Sequence, residues 1–227
     1  MSDKERDRGI CLSFLYALID LLYPRLCVVC RKGLTRGENF VCTSCLYDFP
    51  FSDVSVSSDR ELPGKIYSLF YYNKYSDYKN LIHAVKYRSK KELGIFLGRM
   101  LGERLQEVRV DGIVPVPLHP KREKKRGFNQ SYQISLGVAE VLQAEIWDKV
   151  IVRTKNNVTH TGLEPEERKK NVENIFALTD AAKVAGKHVL VIDDVVTTGA
   201  TVHACMKTLA EAGEVRFTLA CLARTQS

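Results

Sequence analysis

The sequence predicts an α/β fold: a mainly parallel sheet with helices on both faces, preceded by a small cysteine-bound module. Three observations predict it. From Val110 onward, strand-like apolar runs alternate with runs of helical period. The run His188–Asp194, HVLVIDD, stays apolar until two acids close it, as a strand covered on both faces should. Near the start, four of the seven cysteines fall into two Cys-x-x-Cys pairs.

The chain's 227 residues suffice for one sizeable core and a satellite module. With 45% hydrophobic and 27% charged residues, the composition excludes disordered and fibrous classes. A net charge of +7 favours anionic partners without choosing among phosphorylated small molecules, nucleic acid and an acidic surface. An odd number of cysteines points to a reducing cytoplasm, where Cys11, Cys205 and Cys221 act as small hydrophobes.

The first expected element is an amphipathic helix in residues 1–24. Leu12, Leu15, Tyr16, Ile19, Leu22 and Tyr23 recur at helical spacing, and Pro24 ends the pattern. The apolar run Ile10–Tyr23 is too short to span a bilayer and is interrupted by Ser13 and Asp20. The leader balances Lys4, Arg6 and Arg8 against Asp3, Glu5 and Asp7, unlike a signal peptide. The helix is expected to dock on its own protein. Attachment to a membrane surface is the alternative, against which the polar face lacks a basic stripe.

Residues 25–62 are expected to be a zinc ribbon and a linker. Cys27 and Cys30, then Cys42 and Cys45 after eleven intervening residues, offer four thiolates for a closed tetrahedral Zn²⁺ site. Such a site is structural, because no coordination position stays open. Two disulfides or a redox Cys-x-x-Cys are the rivals. Arg31, Lys32 and Arg36 do not decide whether the ribbon also touches nucleic acid. The stretch Pro50–Pro63, rich in Ser and Asp, reads as the linker.

Residues 63–227 carry the α/β pattern. Strands are expected at Ile66–Tyr72, Val110–Leu118, Lys149–Thr154, Ile175–Leu178, His188–Asp194 and Val215–Arg224. Helices are expected at Tyr78–Lys86, Leu93–Glu107, Ser131–Gln143 and Ala200–Gly213, the last closed by its glycine. The polar stretch Thr159–Asn171 has no apolar period. It reads as a lid whose Arg168, Lys169 and Lys170 close over a phosphate, or as a flexible charged loop.

The segment Val189–Thr201, VLVIDDVVTTGAT, is the most informative. Asp193 and Asp194 stand at the carboxyl end of a buried strand, where open α/β sheets bind ligands. Adjacent carboxylates repel and need donors or a cation. The vicinal hydroxyls of a ribose are such donors, and a nearby Mg²⁺ is such a cation. Thr197, Thr198, Gly199, Ala200 and Thr201 then form a turn into a helix N-terminus, an anion nest for a phosphate. The plain alternative is a strand–turn–helix junction with Asp as a cap. Walker A and Gly-x-Gly-x-x-Gly loops are absent from the sequence.

A second candidate is Pro115–Gln130. It carries Lys121, Arg122, Lys124, Lys125 and Arg126 against Glu123, a net of +4, behind Pro115, Pro117 and Pro120. Read as a loop beside the acid pair, it could hold a pyrophosphate. A solvated basic turn is the alternative.

These residues resemble known motifs. VLVIDDVVTTGAT resembles the phosphoribosyl pyrophosphate signature of type I phosphoribosyltransferases. The resemblance implies that Asp193 and Asp194 are the catalytic acids that hold the ribose hydroxyls. It implies that Thr197, Thr198, Gly199 and Thr201 hold the 5-phosphate, with Val195, Val196 and Ala200 in the same binding segment. Over nearly the whole chain, the ribbon, Arg126-Gly-Phe-Asn-Gln130, LIHAVKY around Lys86 and the Arg168…Asn171…Phe176 spacing resemble the ComF family. One departure is His160, where that family often has a glutamine just before Thr161-Gly162-Leu163. The resemblance implies Mg²⁺-dependent transfer of a phosphoribosyl group to an acceptor it does not name, with Arg122 and Arg126 in the binding site. The alternative it implies is a non-catalytic accessory in DNA uptake and competence, binding single-stranded DNA or a helicase-like partner.

Overall fold

The structure is a computed structural model that describes residues 24–53, 55–56, 65–87, 91–155 and 175–225. The expected helix at Ile10–Tyr23, much of Pro50–Pro63, and Thr159–Asn171 with His160, Arg168, Lys169 and Lys170 lie outside the described residues. The chain divides into two compact units, Met1–Phe49 and Pro50–Ser227.

In the first unit the cysteines set the turns. Cys27 donates its N–H to the Lys32 carbonyl at 2.8 Å and accepts from Arg31 N–H at 3.0 Å, closing the first knuckle. Leu26 bridges antiparallel to Gly33. The second knuckle opens a short helix, α1 (Thr43–Tyr47). Glu38 ties the two halves together: its carboxylate accepts from the N–H groups of Thr43 and Thr35, both at 2.7 Å, and from the Thr43 hydroxyl at 2.8 Å. Those donors, Thr43 first, hold its carboxyl down at about 2.

The second unit runs β1 (Ser55–Val56), β2 (Lys65–Tyr72), α2 (Lys79–Val85), α3 (Lys91–Glu103), β3 (Gly112–Pro115), α4 (Pro120–Arg126), α5 (Gln130–Leu142), β4 (Ile151–Arg153), β5 (Phe176–Leu178), α6 (Ala181–Val184), β6 (His188–Val196), α7 (Ala200–Ala210) and β7 (Arg216–Thr225). Its main sheet has the order β1-β2-β7-β6-β3. The pairs β2–β7, β7–β6 and β6–β3 are parallel, and only the short edge strand β1 is antiparallel. The expected class therefore holds: a mainly parallel sheet between helices. Alternation along the strands divides the core. Val189, Val191, Leu219 and Cys221 share one buried cluster with Val202, Cys205, Met206 and Leu209 of α7. Leu190, Ile192, Ala220 and Leu222, wholly buried, face the other way, toward α3 and α5. Among the described residues, no helix is long and apolar enough to cross a membrane.

Three differences from the sequence reading have physical reasons. Part of the expected linker joins the sheet, since Phe51 bridges Phe70 and β1 pairs with β2. The strands read at Lys149–Thr154 and Ile175–Leu178 do not enter the main sheet. They form their own antiparallel pair, Ile151 opposite Leu178 and Arg153 opposite Phe176. Each is only three residues long, and Val152, between buried Ile151 and half-buried Arg153, is 40% exposed, which suits a one-sided ribbon rather than a doubly covered strand. Finally, the basic loop is a helix, α4. His119 caps it by accepting the Lys121 N–H at 3.2 Å, and Pro120 takes the first turn. Gly127, at φ +85°, ends it in the left-handed conformation. The peptide bonds at Pro115, Pro117 and Pro120 are trans.

Candidate functional site

Strand β6 brings Asp193 and Asp194 to the carboxyl edge of the sheet, between β7 and β3. Both are half-buried. Asp193 Oδ1 accepts from Ser131 Oγ at 3.1 Å and from the Asp194 N–H at 2.8 Å. Asp194 Oδ1 accepts the Val195 N–H at 2.8 Å, while Lys86 Nζ stands 3.9 Å from its Oδ2. Burial, and next the charge of Asp194, push the Asp193 carboxyl up to about 7. The Asp194 N–H, Ser131 and Arg153 oppose the rise. A recessed acid pair with so few donors is a site prepared for hydroxyls or a cation.

The turn follows at once. Thr197 and Thr198 are exposed, and Gly199 adopts φ +74°, a conformation that costs glycine little. No side chain caps α7, so its first backbone N–H groups point into the turn. Val195, Thr197 and Thr201 line the same cleft as the acids. Val196 differs: its side chain is buried in the core cluster, so it offers the turn only backbone.

That cleft, of about 460 Å³, also gathers Arg122 and Arg126. The helical form of α4 explains how. At i and i+4 they share one face, while Lys121, Lys124 and Lys125 are exposed on the others. The Arg126–Gln130 segment acts as a bracket. Arg126 Nη1 donates to Gln130 Oε1 at 2.5 Å, and buried Gln130 donates onward to the Phe128 carbonyl at 3.3 Å. Asn129 caps α5 by accepting the Ser131 N–H and donates to the Val116 carbonyl, both at 3.1 Å. The same five residues thus aim Arg126 and place Ser131 against Asp193. Farther along, α3 and α5 pack so closely that a Cβ on Gly137 would lie 2.1 Å from the Ile95 carbonyl oxygen, which fixes α5 over the sheet.

Sequence reasoning gave no role to Arg153, Ser131, His83 or Tyr72, all of which line this cleft. Arg153 matters most. Its Nε is buried without a hydrogen-bond partner, and its guanidinium lies 5.7 Å from the Phe176 ring centroid. Burial, then the proximity of Arg122, lowers its pKa, and Asp193 partly offsets this. Burial and Arg126 do the same to Arg122. Three guanidiniums close enough to perturb one another concentrate positive charge at this end of the cleft, which suits an anion. The only sequence signal for Arg153 was its position at the end of a short strand.

In the first unit, the Sγ atoms of Cys27, Cys30, Cys42 and Cys45 lie within 4.8 Å of one another, and all four are free thiols. Cys30 and Cys42 Sγ are 3.7 Å apart, close to the edge, about 3.8 Å, of a tetrahedron with Zn–S bonds near 2.3 Å. The Cys42 N–H donates to Cys27 Sγ at 3.4 Å, a contact that favours thiolate. The cluster can hold a metal ion such as zinc and fits a zinc ribbon.

Comparison with known proteins agrees with this architecture. Residues 126–227 match the family model "Phosphoribosyl transferase domain". The chain is 31% identical over 209 residues to the DNA utilization protein YhgH of Escherichia coli, covering 88% of this chain and 90% of that one. It is 27% identical over 217 residues to the competence protein ComFC of Bacillus subtilis, covering 86% and 82%. A solved adenine phosphoribosyltransferase overlays 67% of this chain and 78% of its own at 17% identity and a TM-score of 0.40, too distant to bear on function. The matched domain and the sheet define a protein of the phosphoribosyltransferase-like fold class with an added cysteine module. The chain belongs to the ComF family.

Proposed function

We propose that the cleft binds phosphoribosyl pyrophosphate with Mg²⁺ and that the protein transfers its phosphoribosyl group. One observation carries this reading: the Asp193–Asp194 pair, the uncapped turn into α7 and three arginines line a single cleft. Each part suits one part of the ligand. The carboxylates accept from the ribose hydroxyls, strong bonds because the acceptors are charged. Thr197, Thr198, Thr201 and the N–H groups around Gly199 and Ala200 take the 5-phosphate. Arg122, Arg126 and Arg153 take the pyrophosphate and stabilise the charge it gains on leaving. Mg²⁺ arriving with the pyrophosphate would supply further charge neutralisation. In the cysteine module, Cys27, Cys30, Cys42 and Cys45 hold a structural Zn²⁺.

Asp193→Asn with Asp194→Asn tests the reading. Each amide replaces acceptor capacity with a donor. Losing several charge-assisted bonds at about 1.5–3 kcal/mol each should weaken phosphoribosyl pyrophosphate by two decades or more. Titration calorimetry with Mg²⁺ measures it. Unchanged affinity, or a large fall in the melting temperature of the free protein, would make the pair structural and end the proposal.

A second reading is favoured by the exposed Lys121, Lys124 and Lys125 and by relatives named for DNA utilization and competence. In it the protein is an accessory of DNA handling that binds single-stranded DNA or a helicase-like partner through basic surface.

A further inference from the structure

Each acid of the pair is held by one oxygen. Asp193 Oδ1 accepts from the Ser131 hydroxyl at 3.1 Å and from the Asp194 N–H at 2.8 Å. Asp194 Oδ1 accepts the Val195 N–H at 2.8 Å. Among the described residues no hydrogen bond reaches either Oδ2, and Lys86 Nζ stands 3.9 Å from that of Asp194. The two N–H donors belong to the next residue of β6 and tie each acid only to its own strand. Ser131 is different: it comes from α5, 62 positions away in sequence, and ties Asp193 to a second element.

Its hydroxyl is available because its neighbours do the capping. A serine in the first turn of a helix commonly bonds back to nearby backbone. Here Asn129 is the N-cap and accepts the Ser131 N–H at 3.1 Å, while Ser135 Oγ donates to the Ser131 carbonyl at 2.8 Å. Ser131 is only 3% exposed, so its hydroxyl needs a protein acceptor, and Asp193 is that acceptor. Nor does α5 yield easily, since a Cβ on Gly98 of α3 would lie 2.2 Å from the Ile134 carbonyl oxygen. A carboxylate turns readily about its last bond, where the torsion is broad. Two donors on Oδ1, one of them anchored in α5, stop that rotation and leave Oδ2 as the oxygen open to a ligand.

We propose that Ser131 is a positioning residue for the sugar, its hydroxyl holding Asp193 so that Oδ2 meets a ribose hydroxyl. This rests on the phosphoribosyl pyrophosphate reading above. The same contact decides where Asp193 keeps a proton. Oδ1 already accepts two donors, so the proton sits on Oδ2 and must leave before that oxygen accepts from the sugar. Burial and the Asp194 charge oppose its leaving; the Asp194 N–H, Ser131 and Arg153 of β4 favour it. Cys205 of α7 and Cys221 of β7 also face this acid, and burial keeps both thiols protonated.

Titration calorimetry on the full chain with Mg²⁺ tests the role, using phosphoribosyl pyrophosphate, ribose 5-phosphate and pyrophosphate alone. Ser131→Ala should weaken both sugar phosphates by about fivefold to tenfold at pH 7 and change pyrophosphate by less than about twofold. The loss should shrink at pH 8.5, where Asp193 is ionised with or without the serine. Ser131→Thr keeps a hydroxyl and should recover most of the affinity. Ser135→Ala removes a bond one turn farther along α5 and should lower the melting temperature without touching sugar affinity. Unchanged sugar affinity in Ser131→Ala, an equal loss for pyrophosphate, or the same loss in Ser135→Ala would reduce Ser131 to a packing role. So would a Ser131→Thr protein that melts like the wild type yet binds like Ser131→Ala. In each of those cases the wild-type protein still binds phosphoribosyl pyrophosphate and the underlying reading stands. If the wild type does not bind it, both fall.

Discussion

Asp193 shows how one residue couples stability to the proposed function. Burial and the Asp194 charge raise its carboxyl to about 7. An unfolded Asp titrates near 4, so between roughly pH 4 and 7 the folded protein keeps a proton that the unfolded chain has lost. The stability from this group is therefore complete below about pH 4 and disappears as pH rises through about 7. The free protein should melt at a lower temperature at pH 8 than at pH 5.5, and Asp193→Asn should flatten much of that slope. A scanning calorimetry series checks both, and a wild-type slope matched by the variant would assign the pH dependence elsewhere. Ligand binding adds a second reading of the same proton. Ribose hydroxyls favour the ionised acid, so binding should release close to one proton per chain near pH 6 and about half a proton near pH 7, visible as a buffer-dependent heat.

At the scale of elements, α4 decides what the basic segment does. Drawn as a loop, its bases are interchangeable; drawn as a helix, they divide into Arg122 and Arg126 in the cleft and Lys121, Lys124 and Lys125 outside it. Arg122→Ala with Arg126→Ala should therefore weaken phosphoribosyl pyrophosphate by about tenfold or more and leave ribose 5-phosphate nearly unchanged. Replacing the three lysines should weaken neither ligand, but should lower any single-strand binding and flatten its salt dependence. Equal loss of both sugar phosphates in the arginine variant would remove α4 from the pyrophosphate site. The helix was legible: Pro120 at the first turn and Gly127 just past the last are start and stop signals, overlooked because three prolines and a charge run read as loop. The β6–turn–α7 segment was legible for the opposite reason, since strand, ligand turn and helix cap are contiguous in sequence. Arg153 and Ser131 were not. Their place beside Asp193 depends on β4 turning away from the main sheet and on the bracket at Asn129, which bring distant segments together without any local pattern.

The whole molecule joins two units that hold their folds by different means. The larger buries a sheet between helices. Among the described residues, the smaller buries a handful of apolar side chains, among them Val28, Val29, Val41 and Phe49, around its four cysteines. A core of those residues alone does not offset the chain entropy of ordering residues 24–49. A zinc ion bound by four thiolates contributes on the order of 10 kcal/mol or more, enough to decide whether the module folds. Protein purified under reducing conditions should accordingly carry one zinc per chain. A strong chelator should expose residues 24–49 to protease, while the affinity for phosphoribosyl pyrophosphate changes less than about twofold, because every residue of the proposed ligand site belongs to the larger unit. Elemental analysis, limited proteolysis and calorimetry on the same preparation decide the matter. Absence of zinc would return the cysteines to a redox role. Loss of ligand affinity on chelation would show that the metal's folding energy reaches the cleft.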